Sequence, residues 1–358
     1  MTNDRERVLK LDIRSGVFGT LLLLLAGLVA MVLFLRDHSH KRPAGLETVK
    51  LKLQWFPQAQ FAGYLVAKEK GYFRDEGIDI EVRPAGPDIR PTQTVAQGAD
   101  DLGIGVSNQV ITATENGVDL VIVAQLFQDS ANRYVLRAAN RVTSLGELKG
   151  RNIGLWLGGD EAEFIAMLDS QKLPANFANI IAQGNNSVTQ FLGGEFILTQ
   201  ATVYNELELI KNHVGGEANL QILNPAEYGA AIPGDMIFTT KRYLAKNPEL
   251  VSKVVYASLR GWQYAFAHPN EAVEIVIRAN PELKREAQLR QLEAVKQLVL
   301  TGKALSSGIG VMDADSYRTA QRVLLTSKQV KSERDPATFF ADAPWKTASD
   351  RLKQLKSE

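Results

Sequence analysis

Apolar residues recur at every second position in several short stretches of the chain, which is the pattern of β-strands with one buried face. The first stretch, residues 49–55, has Val, Leu, Leu and Trp at alternate positions, and Pro57 ends it. Residues 61–70 then have the spacing of a helix, before Gly71 supplies a stop signal. The same patterns predict further strands near residues 78–82, 102–106, 120–124, 153–156, 180–182, 197–203, 220–223 and 236–240.

Predicted strands and helices alternate over about 190 residues, which favours an α/β fold with mostly parallel sheets. They fall into two sets followed by a largely helical remainder, so we expect two lobes around a cleft. Within this pattern, Ser107 is expected to cap a helix that Gly117 closes. Asn280 stands before Pro281 and Glu282, which is the order typical of a helix start.

A continuous apolar segment precedes the alternating part of the chain. Residues 15–35 carry no charged side chain, and at about 1.5 Å per residue they would cross the roughly 30 Å hydrocarbon layer of a membrane. The run is longer than the apolar region of a usual signal peptide, and no small-residue cleavage site follows it. We therefore predict an uncleaved transmembrane helix, with residues 1–14 in the cytoplasm and a charged linker over 36–46. The folded part is then expected outside the inner membrane. A cleaved signal peptide or a buried helix is the alternative.

The composition narrows the possible classes of protein. Lys and Arg number 41 against 40 Asp and Glu, a net charge of +1, which argues against a strongly basic nucleic-acid binder. The absence of cysteine excludes disulfides, cysteine-ligated zinc, iron–sulfur clusters, a thiol nucleophile and a lipid-modified N-terminal cysteine. No spacing typical of metal ligands is present. We expect neither a metal nor a cofactor.

Residues 53–84 contain a strand ending in Trp-Phe-Pro, then Ala-Lys-Glu-Lys-Gly-Tyr-Phe, then Glu-Gly-Ile-Asp-Ile-Glu-Val. This order resembles the opening of the NMT1/THI5-like group of type II periplasmic substrate-binding proteins. Further similar segments follow in the family's order, so that the resemblance covers roughly residues 48–278. These segments are residues 86–110, 148–168, 201–210 and 234–276.

The resemblance implies a bilobal, type II periplasmic-binding-protein fold of two mostly parallel-sheet lobes that close on a small ligand. The chain would cross between the lobes near residues 128–134 and 227–234. The domain boundaries that follow are lobe one over 47–133 plus 232–345, lobe two over 134–231, and a charged tail over 346–358.

Ligands of open α/β sheets sit beyond the carboxyl ends of the strands, and four segments with suitable chemistry are predicted there. Trp and Tyr rings can stack on a planar ligand, amides offer both a donor and an acceptor, helix starts offer free N–H groups, and a Glu accepts from an amino-heterocycle. The candidates are Trp55, Gln58, Gln60 and Phe61 in the first segment, Ser107 and Gln109 in the second, Trp156, Gly159 and Glu161 in the third, and Tyr204, Asn205 and Glu206 in the fourth.

Each segment also has an interpretation without a ligand. Trp55 could belong to the core, Ser107 could serve only as a cap, Gly159 could form a tight turn, and Tyr204 could open an ordinary helix. The thiamine-related members of the family place comparable Tyr and Glu groups near the pyrimidine. Where such receptors commonly have Asn and His after the first-strand Trp, this chain has Gln58 and Phe61, which leaves a larger heterocycle such as a flavin open.

The resemblance implies a membrane-anchored, extracytoplasmic solute-binding protein of an ABC-type importer, with a thiamine-precursor pyrimidine as the ligand type and an ABC permease in the inner membrane as partner. A ligand sensor for a separate signalling partner, or a receptor for flavin, sulfonate or nitrate, is the alternative. Eukaryotic members of this superfamily that make the thiamine pyrimidine carry a cysteine-rich motif and a histidine consumed in the reaction. This chain has no cysteine, and none of its four histidines is placed like a catalytic base. We expect no enzyme activity.

Overall fold

A computed structural model of the protein describes residues 45–355. The predicted cytoplasmic segment 1–14, the membrane helix 15–35 and most of the linker 36–46 lie outside the described residues. Within 45–355, every helix is too short or too polar to span a bilayer.

In the described part of the chain, ten strands form two separate five-stranded sheets. The first sheet has the order β2-β1-β3-β10-β4 and the second the order β7-β6-β8-β5-β9. The strands are β1 (Glu47–Lys52), β2 (Ile78–Arg83), β3 (Leu102–Gly105), β4 (Leu120–Gln125), β5 (Asn132–Arg137), β6 (Asn152–Leu155), β7 (Asn179–Ala182), β8 (Leu198–Thr202), β9 (Leu220–Leu223) and β10 (Met236–Thr240).

Each sheet is mixed rather than parallel throughout. In the first sheet β10 is antiparallel to both β3 and β4, and in the second β5 is antiparallel to both β8 and β9. The other pairs are parallel. In both sheets the reversed strand is the one that the chain enters directly after passing from the other sheet. These passages are residues 126–131, called here the first crossover, and 224–235, the second crossover.

Helices pack around both sheets. Most of them follow a strand, as the alternating pattern predicts. They are α1 (Ala62–Glu69), α2 (Tyr72–Asp75), α3 (Pro91–Ala96), α4 (Ser107–Glu115), α5 (Ala162–Ser170), α6 (Ser187–Gly193), α7 (Glu206–Val214), α8 (Lys241–Lys246), α9 (Pro248–Ala267), α10 (Pro269–Ala279), α11 (Arg285–Val299), α12 (Ala304–Ser307), α13 (Ala314–Thr326) and α14 (Asp342–Leu355).

Two residues predicted to cap a helix do not do so, although the helix predicted to open at Ser107 is present as α4. Ser107 is the first residue of α4 rather than its cap, because its hydroxyl donates to the side-chain oxygen of Gln125 instead of accepting a backbone N–H. Asn280 follows the end of α10 and donates its side-chain amide to the Pro57 carbonyl oxygen at 3.1 Å. The next helix begins only at Arg285.

Two glycines allow helices α1 and α9 to approach until their backbones touch. A methyl group on Gly261 would lie 2.1 Å from the carbonyl oxygen of Gly63, and one on Gly63 would lie 2.3 Å from the Trp262 ring. Trp262 is fully buried, with the Tyr64 ring edge-on at 5.7 Å. This contact sits in the core that backs the first sheet and its cleft edge.

The last part of the chain is tied to the first sheet. The Ile122 N–H donates to the Phe339 carbonyl at 2.8 Å, and the Ala341 N–H returns a bond to Ile122. Residues 346–355, expected as a charged tail, belong to helix α14, and Arg351 forms a two-bonded ion pair with Glu76 at 2.7 and 2.8 Å. This segment therefore folds as part of the domain.

Candidate functional site

A cavity of about 440 Å³ opens between the two sheets. Its walls come from the turn after β1, the start of α4, both crossovers, the turn after β6 and the end of β8. Its size is in the range of sites for small molecules. Eight of the residues predicted from sequence lie on it: Trp55, Gln58, Gln60, Trp156, Gly159, Tyr204, Asn205 and Glu206.

Four predicted residues are placed elsewhere. Phe61 is fully buried in the core behind the first sheet, because it lies on the inner face of the turn into α1. Ser107 is buried against Gln125, and Gln109 lines a neighbouring groove on the outer side of α4. Glu161 folds back so that its carboxylate accepts the Gly159 N–H at 2.8 Å, which shapes the turn instead of facing the cavity. The structure does not place these four on the cleft wall.

A row of side-chain amides leads to the carboxyl group of Asp235. Gln291 donates to Gln58, Gln58 donates to Gln60 at 2.7 Å, and Gln60 donates to the Asp235 Oδ2 at 2.8 Å. Asp235 is 2% exposed and has no ion pair among the described residues. Burial raises the pKa of its carboxyl to about 7, although the Gln60 bond works in the opposite direction. A buried acid without a cation therefore faces the cavity.

Glu163, near the start of α5, is the second buried acid of the cavity wall and is also 2% exposed. Its Oε2 accepts the Ser130 hydroxyl at 3.0 Å and the Asn132 amide at 2.9 Å, and its Oε1 accepts the Ile232 N–H at 2.6 Å. Burial raises the pKa of this carboxyl to about 7, since the three hydrogen bonds only partly offset the loss of solvent. One side chain thus contacts both crossovers.

The glycine turn after β6 brings the second sheet into contact with α4. Gly158 and Gly159 have φ values of +100° and +128°, which side-chain-bearing residues rarely adopt. Asp160 accepts the Asn108 amide at 2.9 Å, and the pKa of its carboxyl is raised by burial. Gln200 holds the turn from behind by donating to the Asp160 carbonyl. The turn and the start of α4 together form one wall of the cavity.

Aromatic rings come from both sides of the cavity. Trp55 packs edge-on against Phe56, with centroids 5.6 Å apart, and Tyr204 packs edge-on against Phe127 at 5.9 Å. Burial, with the nearby carboxylate of Asp235 next, raises the pKa of the Tyr204 hydroxyl well above its usual value, so it stays a neutral donor. Trp55 and Tyr204 both line the open space and offer apolar surface to a planar ligand.

All charged groups that line the cavity are acids. Asp160, Glu163, Glu206 and Asp235 contribute carboxyl groups, and no Lys, Arg or His of the described chain lines it. Within residues 45–355 no group of His, Asp and Glu is arranged to hold a metal ion. The site offers hydrogen-bond acceptors, amides and rings, and it is suited to a ligand that donates hydrogen bonds.

Sequence reasoning missed most of the buried polar groups of the site. Asp235 and Asn132 stand at the amino ends of β10 and β5, whereas the sequence argument places ligands only at the carboxyl ends of strands. Because both strands run antiparallel to their neighbours, their amino ends lie at the same sheet edge: Met236 pairs with Gln125, and Asn132 with Thr202. Recognising the reversed strands would have found both residues. Glu163 and Gln200 carry no comparable signal, because they sit inside regular elements.

Comparison with known proteins supplies a family match. The model of the family described as NMT1/THI5 like matches residues 58–272. The formylaminopyrimidine-binding protein of Halalkalibacterium halodurans is 24% identical over 76% of this chain and 83% of its own length. The riboflavin-binding protein RibY of Chloroflexus aurantiacus is 26% identical over 71% of each chain. A 4-amino-5-hydroxymethyl-2-methylpyrimidine phosphate synthase of Legionella pneumophila is 24% identical over 66% of this chain and 75% of its own.

Solved structures show the fold. The periplasmic nitrate-binding protein NrtA of Synechocystis PCC 6803 superposes with a TM-score of 0.66 at 14% identity, covering 86% of this chain and 89% of its own. The periplasmic aliphatic sulphonate-binding protein SsuA of Escherichia coli gives 0.65 at 14% identity, covering 82% and 91%. The predicted type II periplasmic-binding-protein fold is therefore confirmed, with mixed sheets.

Proposed function

The chain belongs to the NMT1/THI5-like family, and on that premise we propose that it is an extracytoplasmic solute-binding protein of an ABC-type importer that binds a planar nitrogen heterocycle in its cleft. The observation that carries this proposal is the chemistry of the cavity wall. It combines aromatic surface with buried carboxyl and amide groups and has no cationic side chain in the described part of the chain.

The charge of the site favours a heterocycle over the anions that some proteins of the same fold are named for. Sulfonate and nitrate carry a full negative charge and are bound best by Arg, Lys or several converging N–H donors. Here they would meet the carboxyl groups of Glu206, Asp235, Asp160 and Glu163. An anion would have to displace water without gaining a cationic partner, which costs free energy.

An aminopyrimidine has the complementary edge. Its exocyclic amine and a protonated ring nitrogen present two parallel N–H donors, which match the two oxygens of a carboxylate. Asp235 uses Oδ2 for Gln60 and lines the same cavity as the two rings, Trp55 and Tyr204. A flavin also offers a planar ring with N–H and carbonyl groups, so it remains within the same ligand class. The formylaminopyrimidine- and riboflavin-binding relatives support this range.

Binding rather than catalysis is proposed, although relatives named as synthases are also similar to the chain. The whole chain has no cysteine, and no histidine of the described part lines the cavity. The cysteine-rich motif and the reacting histidine of the pyrimidine-making members of the superfamily therefore have no counterpart among the described residues that line the cavity.

Ligand class is tested by titrating the purified full-length chain in mild detergent. The ligands are 4-amino-5-hydroxymethyl-2-methylpyrimidine, formylaminopyrimidine, riboflavin, ethanesulfonate and nitrate. Binding is measured by calorimetry and by the change in melting temperature. We expect heat and a rise in Tm with one or more of the heterocycles and none with the two anions. Binding of ethanesulfonate or nitrate without any heterocycle would refute the ligand class, and no binding by the whole panel would count against the receptor function.

Membrane attachment through residues 15–35 and an ABC permease as partner are part of the same proposal. The length and uncharged character of that segment support it. After lysis, the full-length chain is expected to stay with the membranes through a sodium carbonate wash, whereas a variant beginning at residue 45 should be released. Release of both forms alike would contradict the anchor.

A further inference from the structure

The two crossovers run side by side and are joined at both ends. At their first-sheet ends they bond to each other, because the N–H groups of Leu126 and Phe127 donate to the Asp235 carbonyl at 2.9 and 3.1 Å. Gln125 adds bonds from its side-chain amide to the carbonyls of Phe127 and Gly234. At this end the join is made mainly by the backbone.

Between the ends, the Gly234 N–H donates to the Asp129 carbonyl at 3.4 Å. Nearer the second sheet, the side chain of Glu163 makes the join. Glu163 receives Ser130 and Asn132 from the first crossover and the start of β5, and Ile232 from the second crossover. Ser130 is in turn held by the Asn132 N–H, which donates to its hydroxyl at 3.0 Å. All three partners of Glu163 donate, and a carboxylate can accept from all of them at once.

We propose that Glu163 is a positioning residue that fixes both crossovers to helix α5, so that the two lobes close on a ligand about one common hinge. The statement about closure rests on the proposed binding function, whereas the link between the crossovers does not. Glu163 also lines the cavity. A ligand bound next to it would therefore contact the same side chain that joins the crossovers. Loss of the carboxylate would release the crossovers from α5 near the second sheet, while their backbone bonds near the first sheet remain.

Substituting Glu163 and Asn132, singly and together, tests this role. In Glu163→Gln the side-chain oxygen can still accept the Ile232 N–H, but its new NH₂ group faces the Asn132 amide, which is also a donor in this arrangement. In Asn132→Asp a second carboxyl group replaces the amide donor and repels the Glu163 carboxylate, so that Oε2 keeps only the Ser130 hydroxyl as a donor. The double variant E163Q/N132D restores complementarity, since the introduced glutamine amide would donate to the introduced aspartate carboxylate. It also keeps the net charge unchanged.

The measurement is hydrogen exchange by mass spectrometry on the ligand-free full-length chain. At pH 8, where the Glu163 carboxyl with its pKa of about 7 is mostly ionised, we expect exchange in residues 129–132 and 229–232 of each single variant to rise about tenfold or more, the order expected when a charge-assisted bond is lost. In the double variant it should return towards the wild-type rate, while strands β1 and β6 stay unchanged in all forms.

Recovery of slow exchange in the double variant distinguishes a positioning role from a general loss of stability. Two unrelated destabilising substitutions would add their effects on exchange instead of cancelling them. Unchanged exchange in both single variants, or a double variant that exchanges as fast as the worse single one, would overturn the proposal. If E163Q fails to fold, N132D and the double variant still decide it. Titration of the same variants with 4-amino-5-hydroxymethyl-2-methylpyrimidine is a separate arm: no binding even to the wild type would refute the ligand and leave the exchange result standing.

Discussion

Asp235→Asn is expected to weaken the binding of 4-amino-5-hydroxymethyl-2-methylpyrimidine about ten- to one-hundred-fold. The carboxylate is buried, faces the cavity and has Gln60 as its side-chain donor, so the ligand supplies the remaining donor and any positive charge. A hydrogen bond to a charged group contributes about 1.5–3 kcal/mol, and about 1.4 kcal/mol corresponds to a tenfold change in Kd. Calorimetric Kd values of the two proteins at pH 8 measure the effect.

The same substitution should make the protein more stable at that pH. Weaker binding by a more stable variant would then reflect a lost ligand contact and not a damaged fold. The pKa of Asp235 is about 7 in the folded protein against a usual 3.8, so between about pH 4 and 7 the folded chain binds the proton more tightly than the unfolded chain does. The free energy of unfolding therefore falls as the pH rises through this window, by at most about 1.4 kcal/mol per pH unit for one group. Glu163 acts in the same direction.

Asp235→Asn removes one of these two contributions. Urea unfolding of the variant should depend less on pH between about 4 and 7, and its Tm at pH 8 should exceed that of the wild type. Asp88→Asn, the same change on an exposed residue that does not line the cavity, is the control and should leave binding unchanged. If Asp235→Asn binds the ligand as tightly as the wild type does, Asp235 does not contribute to ligand binding.

Gly261→Ala is expected to destabilise the protein by about 3 kcal/mol or more, the upper part of the range for overpacked cores. The added methyl group would lie 2.1 Å from the Gly63 carbonyl oxygen, 2.7 Å from the Ala67 Cβ and 3.0 Å from the Ala67 nitrogen. Two of these three atoms belong to the backbone of α1, so the clash is relieved only by moving the helices apart. Urea unfolding gives the change in free energy.

Gly193→Ala is the matched control for this clash. Gly193 is the last residue of α6, has no atom within 4 Å of the position of an added methyl group, and does not have a positive φ. Because alanine favours a helix over glycine, this change should be neutral or stabilising by up to about 1 kcal/mol. Equal unfolding midpoints for Gly261→Ala and the wild type would mean that α1 and α9 are farther apart than the structure places them.

Nine of the ten strands could be predicted from the sequence because their apolar residues alternate or form a short buried run. The tenth, β5, was missed. Tyr134, Val135 and Leu136 are all buried in it, but Asn132, Arg133 and Arg137 flank them, so neither pattern is present. Its place in the middle of the second sheet depends on pairing with β8 and β9, which are distant in sequence.

The candidate site was predictable where a residue follows a strand and could not be predicted where only the fold brings residues together. Trp55 and Tyr204 carry a local signal, since each stands just past a strand end. Asp235 meets Gln60 from far along the chain, and Glu163 reaches Ser130 and Ile232 from inside a helix. Phe61 shows the opposite error: it lies next to the site in sequence, but its ring turns into the core.

The position of β10 also determines the order in which a growing chain can build the two sheets. β10 separates β3 from β4 in the first sheet, yet it follows every strand of the second sheet in the chain. When synthesis has passed residue 223, the second sheet has all of its strands, whereas the edges of β3 and β4 that β10 joins are unpaired and β4 has no strand partner. The lobe that begins first is thus completed last, and until residue 240 has emerged those two edges are open to incorrect pairing.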